Sequence, residues 1–405
     1  MPRAALLLLC AALAGLGAWT ARAPAPRWFK GNTHAHTLWS DGDGAPELVT
    51  DWYREHGYDF LVLSDHNVFL EGDKWFPIGS DEGARLTDAH VAELRARFGA
   101  DAVAVRERDG TREMRLVPLA ELRRRFERPG AFLLVPGEEI TDGTPSVPVH
   151  VNGLNLAEVI APQGGATALE MAERDLAAVI EQGKRLGRPV LGHLNHPNFR
   201  WAFTADDLAQ LASERFFEVY NGHPGTNTNG TGEHPGAEAL WDLANARRRY
   251  ELDLPLLYAL ATDDTHDYHD PAGSTGGSHA GRGWIQVRAA ELTPAALIEA
   301  MRAGAFYAST GVTLDDVRFD GRTLVIDIAA DAGVRYTTRF LGAERRDGAV
   351  QAGVLFAESS DDPASYTLTG REGYVRATVV SSRPQADPAA PGDLERAWTQ
   401  PVGAP

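Results

Sequence analysis

Short apolar runs that stop at a histidine, aspartate or glutamate recur through the first two thirds of this 405-residue chain, and nothing else in it constrains the fold as much. The first run starts at Trp28, reaches His34 and continues through Ala35, His36 and Thr37. In a strand, residues i and i+2 point to the same side, so His34 and His36 aim at one point. Asp41 follows in the turn Ser40-Asp41-Gly42 and can swing a carboxylate toward it. Two imidazoles and a carboxylate make a ligand set for a first-row divalent metal. Alone, such a pair means little, because imidazole has many other uses. Its weight comes from the rest of the chain.

A helical pattern over 45–56 gives way to a strand over 58–63 that runs into Ser64-Asp65-His66. The apolar run 131–135 ends in Pro136-Gly137-Glu138-Glu139, and a short strand over 147–151 carries His150. After a helix over 169–186, the strand 189–192 ends in His193-Leu194-Asn195-His196-Pro197. The strand 216–220 leads to Asn221-Gly222-His223; a helix over 237–250 follows, then a strand over 255–261 that ends in Thr262-Asp263-Asp264-Thr265-His266. A strand (284–287), a helix (293–303) and a strand (306–308) complete the run. Apolar strands alternating with helices predict a parallel sheet covered on both faces. Polar exits on one rim predict an α/β barrel over 24–313 with its site at the C-terminal ends of the strands.

Residues 71–130 carry helix and hairpin signals but no ligand spacing, and are expected to form an inserted lid or pocket wall. Beyond 313 the pattern changes to short alternating segments without helical period. They predict a small antiparallel, sandwich-like β domain over 314–405 that ends in a loose Pro/Ala/Gly tail.

Residues 1–23 read as a cleaved secretory signal, with Arg3, an apolar run from Ala4 to Trp19 and Ala21-Arg22-Ala23 as cleavage site. Secretion or a periplasmic location is therefore expected, with no membrane span in the mature chain. The single cysteine, Cys10, falls inside that signal, so the mature chain tolerates an oxidising compartment. The formal charge is −17, from 39 basic and 56 acidic residues, which argues against a long nucleic acid or an anionic membrane as partner.

His34, His36, Asp41, His66, Glu139, His150, His196, Asp264 and His266 stand at successive strand exits. Burying such groups unpaired is costly, and cations that hold them together are the economical explanation. A mixed His/carboxylate set without thiolate suits Zn²⁺, Mn²⁺ or Fe²⁺.

In these motifs the chain resembles the polymerase-and-histidinol-phosphatase (PHP) family of metal-dependent hydrolases. The likeness runs from residue 31 to about 311 and takes in His34-x-His36 with Ser40-Asp41-Gly42, Ser64-Asp65-His66, Pro136-Gly137-x-Glu139, His150, His196-Pro197 and Asp264-x-His266. Trp39 to Asp43, Asn221-Gly222-His223-Pro224 and the trailing β domain look like the branch that includes carbaryl hydrolase. The resemblance implies a distorted (β/α)7 TIM-like barrel with two or three divalent metals. His34, His36, Glu139 and Asp264 would hold one, Glu139 would bridge to a second completed by His150 and His196, and Asp41, His66 and His266 would hold the third. The family pattern favours Glu139 over Glu138 and His196 over His193. Many members carry a histidine near the position of Asp41, a departure that bears on the third site.

Three divalent cations facing three carboxylates would leave the site at about +3, which favours a phosphate or an acyl oxyanion. A bridging water, its pKa lowered toward ~7, would be the nucleophile. His193 and His223, with His269 and His279 behind them, are the candidate leaving-group acids, and Arg282, with Arg200, could clamp phosphate oxygens. Asn195, Asn198, Trp201 and Trp284 flank the motifs and could shape a pocket for a sugar or an aromatic group. The expected activity is hydrolysis of small phosphate mono- or diesters. Carbamate or carboxylic ester hydrolysis, 5′–3′ trimming of short nucleic acids, and metal-dependent ligand binding without turnover are the alternatives.

Overall fold

The computed structural model describes residues 25–80, 83–269 and 276–403. The secretory signal read over 1–23, Cys10 included, lies outside the described residues. No described helix is long and apolar enough to cross a membrane.

Chain order opens with β1 (Arg27–Asn32), α1 (Pro46–Glu55) and β2 (Phe60–Leu63). The inserted segment then contributes β3 (Trp75–Pro77), α2 (Asp88–Phe98), β4 (Val105–Arg108), β5 (Thr111–Arg115) and α3 (Leu119–Phe126). Next come β6 (Leu133–Thr144), β7 (Val147–Leu154), α4 (Ala168–Leu186), β8 (Leu191–Leu194), α5 (Ala205–Gln210), β9 (Phe216–Asn221), α6 (Ala237–Arg247) and β10 (Tyr258–Thr262). β11 (Trp284–Ala289), α7 (Pro294–Arg302) and β12 (Phe306–Ser309) follow. The C-terminal strands are β13 (Leu314–Phe319), β14 (Thr323–Ile328), β15 (Tyr336–Arg346), β16 (Ala349–Ser359), β17 (Ala364–Thr367), β18 (Glu372–Pro384) and β19 (Leu394–Thr399).

Local chemistry explains the boundaries. α1 starts on Pro46, whose missing N–H costs nothing at a helix N-terminus, and buries Leu48, Val49 and Tyr53. In α4, Thr167 accepts the N–H of Glu170 at one end, and Gly187 takes the left-handed conformation at the other. Its Leu176 and Val179 pack with Val149, Val151 and Leu194 of the sheet beneath.

Thirteen strands form one sheet in the order β10-β9-β8-β7-β6-β2-β1-β11-β12-β19-β18-β15-β16. The sheet is mixed, which corrects the parallel arrangement expected from sequence. β1–β2, β2–β6, β8–β9 and β9–β10 run parallel, while β7 is antiparallel to both β6 and β8, and β11 to both β1 and β12. Only Pro145 and Ser146 separate β6 from β7, and so short a link permits nothing but a hairpin. Among the described residues no continuous ladder closes this sheet into the expected barrel. Instead it curls until the exits of β1 and β10 meet. There the His36 N–H donates to Thr265 O and the Asp264 N–H to His34 O, both at 3.0 Å.

The insertion packs on α1 through Leu94, Met114, Leu122 and Phe126. A lid or pocket wall is expected here, but no described residue of 71–130 is among those lining the site. Its contribution is a brace: Arg85 donates to the carbonyls of Ser40 (2.6 Å) and Gly42 (3.1 Å), and Trp39 donates to Val117 O (3.3 Å), fixing the turn that carries Asp41.

The C-terminal strands are antiparallel, as read, with β13, β14 and β17 in a small sheet of their own. The others extend the large sheet. The stretch expected as a loose tail is ordered in its described part, to residue 403: β19 lies between β12 and β18, and the Gln400 side-chain amide exchanges two hydrogen bonds of 2.9 Å with the backbone of Ala259, covering the free edge of β10.

Candidate metal centre

Chain direction brings the strand exits to one rim. His34 and His36 follow β1, Asp41 the turn after it, and His66 follows β2; Glu139 lies within β6 and His150 within β7. His196 follows β8, and Asp264 and His266 follow β10. His196 (φ +21°) and Asp264 (φ +51°) hold backbone conformations that non-glycine residues rarely adopt, the kind of local cost that recurs at functional sites.

Glu139 is the centre of the cluster. Its Oε2 lies 3.3 Å from His34 Nε2, 3.2 Å from His36 Nε2 and 3.0 Å from His66 Nδ1. Its Oε1 lies 2.9 Å from His150 Nδ1 and 3.6 Å from His196 Nε2, and accepts from Asn195 at 2.7 Å. Asp264 Oδ1 stands 3.1 Å from both His34 Nε2 and His36 Nε2. Asp41, half-exposed on the outer side, reaches His66 Nε2 at 3.2 Å and His266 Nε2 at 3.3 Å. Three compact donor groups result: His34/His36/Glu139, His66/Glu139/His150 and His36/Asp41/His66/His266. All nine residues picked from the sequence thus converge. The grouping differs in that His36 also faces the outer group and His66 stands closer than His196 to Glu139.

Their polarity fits a cation. In the neutral ring that a cation requires, His34 Nδ1 donates to Glu218 Oε1 at 2.8 Å, and the Nε2 lone pair then points at His36 Nε2, 3.1 Å away. Two carboxylate oxygens converge on the same spot, and the buried Glu139 Oε2 has no hydrogen-bond partner. Lone pairs so gathered repel unless positive charge sits between them. The spacings of 3.1–3.3 Å match donors about 2.0 Å from a tetrahedral centre, which stand about 3.3 Å apart. Burial pushes the His34 imidazole down, but the Asp264, Glu139 and Glu218 carboxylates outweigh it and hold it well above its ordinary value. Burial works against the Glu139 and Asp264 carboxylates as well, and the surrounding imidazoles keep both well below the usual carboxylate range.

A cavity of about 180 Å³ opens over the cluster. Phe199, His223 and Thr226 line it beside the ligand-type residues, and among the described residues no lysine or arginine does. His223 Nδ1 accepts the Gly225 N–H at 3.0 Å, so the neutral ring carries its proton on Nε2. Of the three residues read as catalytic, only His223 reaches this mouth.

His193 and Arg282 need correction. His193 faces inward from β8, fully buried, and burial pushes it down to about 4. It has no path to a leaving group. Arg282 is buried too; four of its five N–H groups go to Gly222 O (2.8 Å), Gly277 O (2.7 Å) and the Asp387 carboxylate (3.1 and 3.2 Å), and Nη2 also lies 3.0 Å from His279 Nδ1, so it turns away from a phosphate at the mouth.

The remaining candidates have other partners. His269 stacks on His90 at 3.7 Å, His279 lies 2.7 Å from Asp387, Arg200 bonds Pro145 O, and Trp201 stacks on His234 at 4.3 Å. Asn198 holds the carbonyls of Asn227 and Pro235, both at 3.1 Å, and Trp284 packs under Lys30 on β11.

Three supporting acids escaped the sequence reading. Glu218 orients His34; Asp65 accepts the Thr37 and Ser40 N–H groups, both at 2.9 Å; Asp263 accepts those of Gly281 (3.0 Å), Arg282 (2.7 Å) and Gly283 (2.7 Å). The available signals were an acid inside the apolar run Phe216-Phe217-Glu218-Val219-Tyr220 and the acids that directly precede His66 and Asp264.

No family model and no curated protein matches the sequence. Among solved structures, a two-domain protein from Bacteroides vulgatus, described as containing a PHP-like metal-dependent phosphoesterase by prediction, is 16% identical; the alignment covers 94% of this chain and 97% of that one, with a TM-score of 0.41. A Bifidobacterium adolescentis protein proposed to be a metal-dependent phosphoesterase is 14% identical over 63% of this chain and 94% of its own, TM-score 0.33. An amidohydrolase from Chromobacterium violaceum with bound sulfate and no metal is 13% identical over 62% and 90%, TM-score 0.30. Likenesses of this size do not assign the chain to a family.

Proposed function

We propose that this protein is a metal-dependent hydrolase whose substrates are small phosphate mono- or diesters. One observation carries the reading: Glu139 turns one oxygen to His34, His36 and His66 and the other to His150 and His196, the stance of a carboxylate shared between two cations. Divalent ions held there would supply hydroxide at neutral pH and draw off charge from the attacked centre.

The chain's own residues do the rest. Glu218 and Asn195 hold the ring of His34 and the carboxylate of Glu139 in place. His223 presents an Nε2–H at the mouth, placed to donate to a departing oxygen. The small mouth favours a phosphate-sized group entering end-on, and Phe199 offers an apolar edge to what it is attached to. Because no lysine or arginine among the described residues lines that mouth, a carboxylic ester or carbamate, as in the carbaryl-hydrolase branch, is the second reading. The net charge of −17 weighs against long nucleic acids, and the apolar N-terminal run supports export.

The test is incubation of the Mn²⁺- or Zn²⁺-loaded protein with 4-nitrophenyl phosphate, bis(4-nitrophenyl) phosphate and 1-naphthyl acetate, with a His34→Ala/His36→Ala control. Turnover of a phosphate ester, lost in the control, is expected. Hydrolysis of the acetate alone would replace this reading with the second, and silence on all three would leave a binding protein.

A further inference from the structure

A side chain between two C-terminal strands is linked to the metal centre through a buried arginine. The segment between β18 and β19 lies across the exits of β9 and β10. Gln385 there accepts from the Tyr220 hydroxyl (3.1 Å) and Asp393 from Asn229 (2.9 Å). Between these anchors, Asp387 turns in and meets Arg282, with Oδ1 3.1 Å from Nη2 and Oδ2 3.2 Å from Nε. His279 Nδ1 lies 2.7 Å from the same Oδ2. Arg282 is 3% exposed, and Asp387 is its one carboxylate partner among the described residues. A buried guanidinium without a counter-charge is costly, so Arg282 stays where it is because Asp387 is there.

What Arg282 holds is the backbone under the outer ligands. Nη1 bonds Gly222 O and Gly277 O, the carbonyls next to His223 and Ser278. Ser278 in turn donates its hydroxyl to Asp264 O (2.5 Å) and accepts the N–H groups of His266 and Asp267 (both 3.0 Å). The interlock has no slack at Gly222, where an added Cβ would stand 2.8 Å from Asp263 O and 2.9 Å from Arg282 Cβ.

We infer that Asp387 is a positioning residue for the metal centre: through Arg282 it fixes the backbone that presents His223 and His266. The C-terminal strands thereby help build the outer ligand group of His36, Asp41, His66 and His266, whereas the inner group around Glu139 stands on β1, β6 and β7, with Asp264 tied to it by its N–H bond to His34 O. This rests on the proposed metal centre.

Co²⁺ titration of the chelated, full-length protein, followed by visible absorption without substrate, tests it. In Asp387→Ala the weakest Co²⁺-binding step loses at least tenfold in affinity, while the tightest stays within twofold of the unsubstituted protein. Gln385 and Asp393 keep the segment docked. Asp387→Asn, which preserves shape and removes only charge, is read the same way if the alanine variant does not fold. An unchanged weakest step, or equal weakening of every step, overturns the role assigned to Asp387. If the unsubstituted protein binds no Co²⁺, the metal centre itself is wrong, which is a separate failure.

Discussion

Glu218 shows how a side chain that touches no substrate can govern the site. Its Oε1 accepts from His34 Nδ1 and Thr262 Oγ1, its Oε2 from the His196 N–H and Asn221 Nδ2, all at 2.8 Å. A carboxylate behind a ligating imidazole fixes the tautomer and strengthens the nitrogen on the far side. Glu218→Gln keeps the volume but not the charge, and is expected to lower metal affinity about 10–100-fold, read by metal titration with a chelator competitor. Wild-type affinity in that variant would remove Glu218 from the account. The outer acids and imidazoles were legible in the sequence because a period-2 strand and a polar exit are enough to place them. Glu218 was not. A single acid within an apolar strand looks the same whether it supports a ligand or points to water, and only the neighbouring strands decide.

At the scale of elements, β6 shows where local signals mislead. Pro136-Gly137 reads as the end of a strand, yet β6 continues to Thr144. Pro136 closes the pairing with Leu63 of β2, and a Cβ on Gly137 would stand 2.6 Å from Gly153 O, so both turn-type residues serve a close crossing of strands. That extension carries Glu139 into the centre.

On the far side of the sheet, α4 holds the 160–165 segment through Asp175, whose Oδ1 accepts the Gln163 N–H at 2.9 Å while Oδ2 has no hydrogen-bond partner among the described residues. Burial, with Asp142 adding to it, pushes the Asp175 carboxyl up to about 7. The folded chain therefore keeps a proton there that the unfolded chain releases near pH 4. The stability it contributes is complete below about pH 4 and is lost as pH rises toward 7. Asp175→Asn carries the proton's equivalent permanently. Urea unfolding at pH 5 and pH 8 should show the variant losing about 1–3 kcal/mol less across that interval than the parent does. An equal loss in both proteins would mean that Asp175 is ionised in the fold.

Over the whole molecule, the expected boundary near 313 marks a change of pattern in the sequence but no break in the structure. The large sheet passes from β12 through β19 and β18 to β15 and β16, and a buried cluster of ion pairs ties these strands to α6. Arg376 is fully buried and places Nε 2.8 Å from Asp242 Oδ1, Nη2 2.6 Å from Oδ2 and Nη1 3.0 Å from Glu238, while the Tyr374 hydroxyl adds 2.9 Å to Asp242. Sequence reading cannot find such a pair, because its members lie 134 positions apart and each resembles a surface charge on its own element. Breaking one side should cost more than removing both. Arg376→Met strands Asp242 beneath the sheet, and about 3–5 kcal/mol of stability should go with it in urea unfolding. Arg376→Met combined with Asp242→Leu leaves only Glu238, which is part-exposed and keeps Thr378 and Arg396 as partners, and should recover most of that loss. If the single and double variants are equally unstable, shape at the interface matters more than charge. If the single variant loses less than about 1 kcal/mol, water reaches Asp242, and the two parts of the chain are less firmly joined than the continuous sheet implies.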